Sequence, residues 1–355
     1  MKEFREVIQK VSRGAKLAKS LTREEARQAL KWIFNGQASE FQIGAFFAAM
    51  RMKGESSEET AGWVDAVREQ AVQLHTHLED ILDIGEPYDG KLHSLHITLP
   101  TALILSAAGV PVVLHGASET PVKKGVETQG ILEALGVKTF NDTRGEVTLP
   151  LLQQIFEKEK IIFLPTEKLA PDYARLRPLR ESFGLRPFAN HIEKIFNLAN
   201  AGTQIVGVYH RPYLEPMGDA LKLLGLGRAF VIQGVEGFSE LYLSRKTLVL
   251  EVEKGGASSS WLDPGQFALL GEEELLVQKT APAHAERILE ILKGAKGQGR
   301  ESILWNAGVK LYWMKKTESV KTGIQMARKI LDGEALKKLE SFRNATQEKT
   351  HSQTV

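Results

Sequence analysis

The chain carries no cysteine in its 355 residues. That absence removes disulfides, thiolate zinc sites, iron–sulfur clusters and any cysteine nucleophile. It has no apolar run long enough to span a bilayer, and its first residues, M-K-E-F-R-E-V-I-Q-K-V-S-R-G, are charged throughout where a secretory signal is apolar. A cytoplasmic protein without a membrane partner is the expectation. Neither sign of charge dominates: 46 Lys and Arg stand against 44 Asp and Glu, a net of +2, so a polyanion must be held by a local basic surface. A P-loop, a G-x-S-x-G elbow, internal repeats and low-complexity tracts are all missing. What remains, 43% hydrophobic and 25% charged, is an ordinary soluble globular composition, long enough for a large α/β domain and a smaller one.

Residues 1–75 read as a helical domain, with apolar positions recurring at spacings of three and four. Capping boxes are predicted at Thr22-Arg-Glu-Glu25, Ser39-Glu-Phe-Gln42 and Ser56-Ser-Glu-Glu59, because a hydroxyl followed three residues later by Glu or Gln satisfies first-turn amides in both directions. Asn35-Gly36 and Lys53-Gly54 supply the breaks. The stretch Q-I-G-A-F-F-A-A-M-R-M, residues 42–52, is apolar on most faces and suits either a domain core or a contact between subunits.

From residue 81 onward, short β-branched runs alternate with helical segments. Strands are predicted at 81–84, 110–114, 137–140, 161–164, 205–209, 230–233 and 248–252. The fold class is therefore α/β: a small N-terminal helical domain plus a large domain, 76–355, with a mostly parallel sheet flanked by helices. Right-handed crossovers leave the loops after the strands to build a cleft. Residues 170–200, arginine-rich and carrying Pro171, Pro178 and Pro187, interrupt the rhythm and are expected to return to the helical domain. After Gly255, A-S-S-S and Pro264-Gly265 read as a loop, and the last residues as a polar tail.

Three strands end in polar, glycine-bearing loops. One is V-P-V-V-L-H-G-A-S-E-T-P-V-K-K-G, residues 110–125, where an apolar run gives way at His115-Gly116 to hydroxyls and lysines, the form of a phosphate-binding loop. The others are I-L-D-I-G-E-P-Y-D-G, residues 81–90, and A-F-V-I-Q-G-V-E-G-F-S-E, residues 229–240. All three are expected to converge on one cleft.

Taken in order, these segments resemble the anthranilate phosphoribosyltransferase family, glycosyltransferases allied to the pentosyl phosphorylases, over most of the chain. L-T-R-E-E-A followed by S-E-F-Q-I-G-A-F-F-A-A-M-R-M-K-G-E is similar to the family's helical signature. Asp83-Ile-Gly-Glu-Pro-Tyr-Asp-Gly90 stands where the family has D-x-V-G-T-G-G-D-G, leaving Gly85, Asp89 and Gly90 in common. There Pro87 lacks an amide proton, Tyr88 adds bulk and Glu86 adds negative charge. His96-Ile97-Thr98 stands for N-I-S-T, and Leu114-His115-Gly116-Ala117-Ser118 for K-H-G-N-R. Lys123-Lys124-Gly125 stands for the later K-S-G, although a lysine pair also suits a solvated loop tip. Pro171, Pro178, Arg180, Gly184 and Arg186 follow the family's central proline–arginine pattern, and V-I-Q-G-V-E-G-F-S-E, ending at Glu240, matches V-H-G-x-D-G-L-D-E.

The resemblance implies a phosphorylated sugar such as phosphoribosyl pyrophosphate as partner, held at Gly85, Thr98, His115, Gly116, Ser118, Thr120 and Lys123. It also implies magnesium on Asp89 and Glu240, with Glu236 in support, an acceptor at Arg186, and a homodimer. A serine at 239 in place of a carboxylate weakens the second metal position. The bland alternatives are turn carboxylates for Asp89 and Glu240 and an interdomain hinge arginine for Arg186. Two readings follow. One is a pentosyl transferase with altered donor and acceptor loops, its acceptor other than anthranilate. The other is a non-catalytic homodimer that binds single-stranded nucleic acid along a groove of Arg175, Arg177, Arg180 and Arg186.

Overall fold

A computed structural model describes residues 2–14, 17–117, 125–139 and 149–347. Its N-terminal unit has four helices: α1 (Lys2–Val11), α2 (Arg23–Phe34), α3 (Glu40–Lys53) and α4 (Ser57–Arg68). All three predicted capping boxes form, each with both reciprocal hydrogen bonds. Glu59 goes further: fully buried, it also accepts from the Leu21 amide at 2.8 Å and pairs with Lys53 at 2.8 Å, tying the loop before α2 to the start of α4. Phe46, Phe47 and Trp63 line the inner face of this cluster, and the Phe188 ring stacks on Trp63 at 3.6 Å. Phe188 belongs to a run of short helices between Thr166 and Ile195, which is further bound to the helical unit through Arg68 on the Phe196 carbonyl and Arg175 on the Phe34 carbonyl.

The larger part is built on a seven-stranded sheet of order β3-β2-β1-β4-β5-β6-β7. β1 (Leu82–Gly85), β2 (Val112–Gly116), β3 (Ile161–Pro165), β4 (Thr203–Val208) and β5 (Arg228–Gln233) are parallel, while β6 (Thr247–Glu253) and β7 (Gly256–Leu262) continue it antiparallel. β1, β2 and β3 are buried at every position, as expected where helices cover both faces. α5 (Thr98–Ala107), α6 (Thr128–Ala134) and α7 (Leu149–Glu159) follow in the crossovers.

Two expectations need correction. Residues 137–139 are not a strand: Val137 is buried after α6 with its amide on the Leu132 carbonyl, so its β-branched side chain serves a helix terminus. The stretch after Gly255, read as a loop, is edge strand β7, exposed along most of its length. Its serines carry no apolar signal because only its backbone ladder to β6 is needed. The polar tail from 348 lies outside the described residues. No helix among the described residues is long and apolar enough to cross a membrane.

Candidate functional site at three strand ends

The loops after β1, β2 and β5 do meet. Gly90 takes a left-handed φ of +66° and lies so close to Gly125 that a Cβ on either would strike the other's backbone. Beside them Lys91 and Val126 exchange two backbone hydrogen bonds of 2.8 Å. Gly116, at the end of β2, lies against Glu86 from the β1 loop. The β5 loop enters through two carboxylates, Glu236 and Glu240, both directed at the stretch between Lys91 and Thr98.

Of the sequence-derived site residues, Ser118, Thr120 and Lys123 lie outside the described residues. Gly85 is packed too tightly for any side chain, since a Cβ there would collide with the Lys194 carbonyl and the His115 ring. His115 is buried with Nδ1 3.1 Å from Asp83 Oδ2 and Nε2 2.9 Å from the Glu193 carbonyl oxygen. Burial opposes its charge, but the Asp83 carboxylate and the Glu193 carbonyl outweigh it and raise its pKa. Both ring nitrogens face oxygens that can only accept. His115 is a structural clamp between β1 and the segment at 193, with no ring nitrogen left for a ligand.

Thr98 begins α5, and its hydroxyl donates to Glu240 Oε1 at 2.9 Å. The Ile97 and Thr98 amides reach the same oxygen at 3.0 Å each, while Glu240 Oε2 is ion-paired with Lys91, both side chains fully buried. Burial alone would raise the Glu240 pKa, yet Lys91, His96 and these hydrogen bonds hold it below the ordinary carboxylate value. Glu236 is satisfied likewise: the Leu92, His93 and Ser94 amides and the Ser94 hydroxyl close on it at 2.7–3.2 Å. Asp89 is ion-paired with Arg186. Every carboxylate proposed for magnesium is thus bound to a cation or an amide nest of the chain itself, and no group of three or more His, Asp or Glu among the described residues is placed to hold a metal ion. The donor set does not fit magnesium as the resemblance implied: the cation binds through one or two carboxylates alongside waters and substrate phosphates, and the Asp89 and Glu240 carboxylates are both ion-paired within the chain.

The rest of the cradle is filled from within. Glu86, Pro87 and Tyr88 are buried, Glu86 meeting Thr128 and His96. The Tyr88 ring lies under the Arg180 guanidinium at 3.9 Å. Arg180 is itself buried and bonded to Glu193 at 2.9 Å and Asn190 at 2.8 Å. Arg177 pairs with Glu167 and Glu181, and Arg175 with Asp172. The expected arginine groove is therefore corrected: this run bonds mainly to acids of its own segment, and only Arg175 is largely exposed.

The residues that reasoning from sequence passed over are Lys91, Asp83, Glu193 and Lys194. Lys194 is buried with Nζ 2.5 Å from the Gly207 carbonyl oxygen, and burial next to Arg186 pushes its pKa down to about 7. A lone lysine in a polar loop looks like a solvated one, so neither Lys91 nor Lys194 had a signal to find.

Two family descriptions match the chain: "Glycosyl transferase family, helical bundle domain" over residues 5–71 and "Glycosyl transferase family, a/b domain" over 89–336. Anthranilate phosphoribosyltransferase of Desulfosudis oleivorans is 34% identical over 91% of this chain and 94% of its own length. The crystal structure of the Thermus thermophilus anthranilate phosphoribosyltransferase, 28% identical, superposes with a TM-score of 0.81 over 98% of this chain and all of its own. The Saccharomyces cerevisiae enzyme, solved in complex with PRPP and Mg, shares the fold at 19% identity and a TM-score of 0.81 over 97% and 98% of the two chains. This chain belongs to the glycosyl transferase family of anthranilate phosphoribosyltransferase type.

Proposed function

We propose that this chain uses the phosphoribosyltransferase scaffold to bind single-stranded nucleic acid through its phosphates, and not to transfer a phosphoribosyl group to anthranilate. One observation carries the reading: the amides and charges that a pyrophosphate donor would require are engaged by Glu236, Glu240 and Lys91, with Glu86, Pro87 and Tyr88 buried beside them. Transfer from a sugar pyrophosphate depends on free, preoriented donors at the leaving group. Support for the ligand comes from the surface. Lys315 and Lys316 form no ion pair with any described residue and line, with Arg228, Glu318 and the half-exposed Tyr312, an open cleft of about 300 Å³. Unpaired ammonium groups for phosphates and a ring for a base are the two elements that hold a single strand without reading its sequence.

The second reading, pentosyl transfer to an acceptor other than anthranilate, is favoured by family membership and by Asp89 and Arg186 meeting at the three-loop site. Fluorescence anisotropy with a labelled oligothymidylate at two salt concentrations, set beside a thermal-shift titration with phosphoribosyl pyrophosphate and magnesium, separates the two. Binding that weakens as salt rises, and that Lys315→Glu with Lys316→Glu weakens about tenfold, is the expected result. Stabilisation by the sugar pyrophosphate with no oligonucleotide binding overturns the proposal. We also infer a homodimer formed through α3, where Phe41 is 88% and Met52 81% exposed.

A further inference from the structure

Lys91 is fixed from every side. Its backbone is held by the pair of hydrogen bonds to Val126, its side chain is fully buried, and its ammonium lies 4.8 Å from the Phe238 ring centre and in contact with Glu240 Oε2. The other Glu240 oxygen is filled by the two amides and the hydroxyl at the start of α5. A buried carboxylate needs one positive charge close by, and this lysine supplies it from within the chain.

We propose that Lys91 is the resident counter-cation of Glu240, standing where a divalent ion would otherwise bridge this carboxylate to a phosphate, so that the cleft is built to work without metal. The surroundings agree. Lys310, on the helix Gln298–Trp313, and His284, on the helix Ala281–Leu292, face the same pair, and His96 adds a third base. Of the other acids there, Glu236 is already bonded to the 92–94 amides, and Glu86 accepts from the Thr128 hydroxyl through Oε2, with Oε1 3.3 Å from His96 Nε2. A doubly charged ion entering beside the Lys91 ammonium would meet like charge in a low-dielectric setting and find both oxygens of Glu240 and both of Glu236 already engaged. The inference rests on the closed-cradle half of the function proposed above and is independent of whether nucleic acid is the ligand.

Electron paramagnetic resonance of added Mn²⁺, which reports bound metal directly, tests it on the full chain. The parent protein is expected to show no bound Mn²⁺. Lys91→Ala is expected to gain one site per chain, and Glu240→Gln in that background to lose it again. Lys91→Met keeps the buried volume without the charge and serves if the alanine variant does not fold. Mn²⁺ bound by the parent and released by Glu240→Gln overturns the proposal. So does a folded Lys91 variant that gains no metal. Failure of oligonucleotide binding leaves these outcomes untouched, so the two proposals fail separately.

Discussion

Lys310 places an ammonium in the core where its hydrogen-bond acceptor is the neutral Asn306 Oδ1 at 2.8 Å. Burial pushes its pKa down to about 7, partly offset by Glu240. Between there and the unfolded value the denatured chain binds the extra proton, so this residue makes stability rise with pH across that window. Lys310→Met should therefore raise stability at pH 7 by about 1 kcal/mol, with the gain shrinking toward pH 10, as read by urea unfolding at both. His115 has the opposite sign. Its native pKa is raised, so its contribution is complete below the ordinary histidine value of 6.5 and lost as pH climbs through the native one. His115→Gln should cost on the order of 3 kcal/mol at pH 6, because buried Asp83 loses its charged partner, and less at pH 9. Equal losses at the two pH values would mean that the ring is neutral in the folded protein. The clamp could not be read from sequence: Asp83 and His115 lie on adjacent strands, and only the β1–β2 register brings them within reach.

Among the elements, those with local causes were legible. The three capping boxes depend on residues three apart, and α2, α3 and α4 start where they fall. Ser56→Ala should lower stability by about 1 kcal/mol. Glu59→Ala should cost about 3 kcal/mol, because it removes at once the ion-pair partner of half-buried Lys53 and the acceptor of the Leu21 and Ser56 amides. Comparing the two by thermal unfolding distinguishes a simple cap from an anchor between helices, and equal losses would reduce Glu59 to a cap. Strands buried on both faces announced themselves as apolar runs. β7 did not, because an exposed edge strand needs no apolar side chains, and residues 137–139 misled because a β-branched run also fits beneath a helix end.

At the scale of the whole molecule, exposed Phe41 and Met52 on α3 lead to the expectation that Phe41→Glu with Met52→Glu turns a dimer into a monomer in sedimentation analysis. A parent protein that sediments as a monomer at the same concentration removes the interface. The two-part architecture followed from the sequence alone, because hydrophobic period and turn chemistry act over a few residues and repeat across the chain. So did the meeting of three loops, since parallel strands deliver their C-terminal ends to one edge. Whether those loops hold an open cradle was decided only by the tertiary structure. Lys91 and Glu240 are 149 positions apart, and the same two charges would be solvated and inert on a surface. Buried together at the start of α5, with water excluded, they must satisfy each other, a requirement that only the tertiary structure imposes.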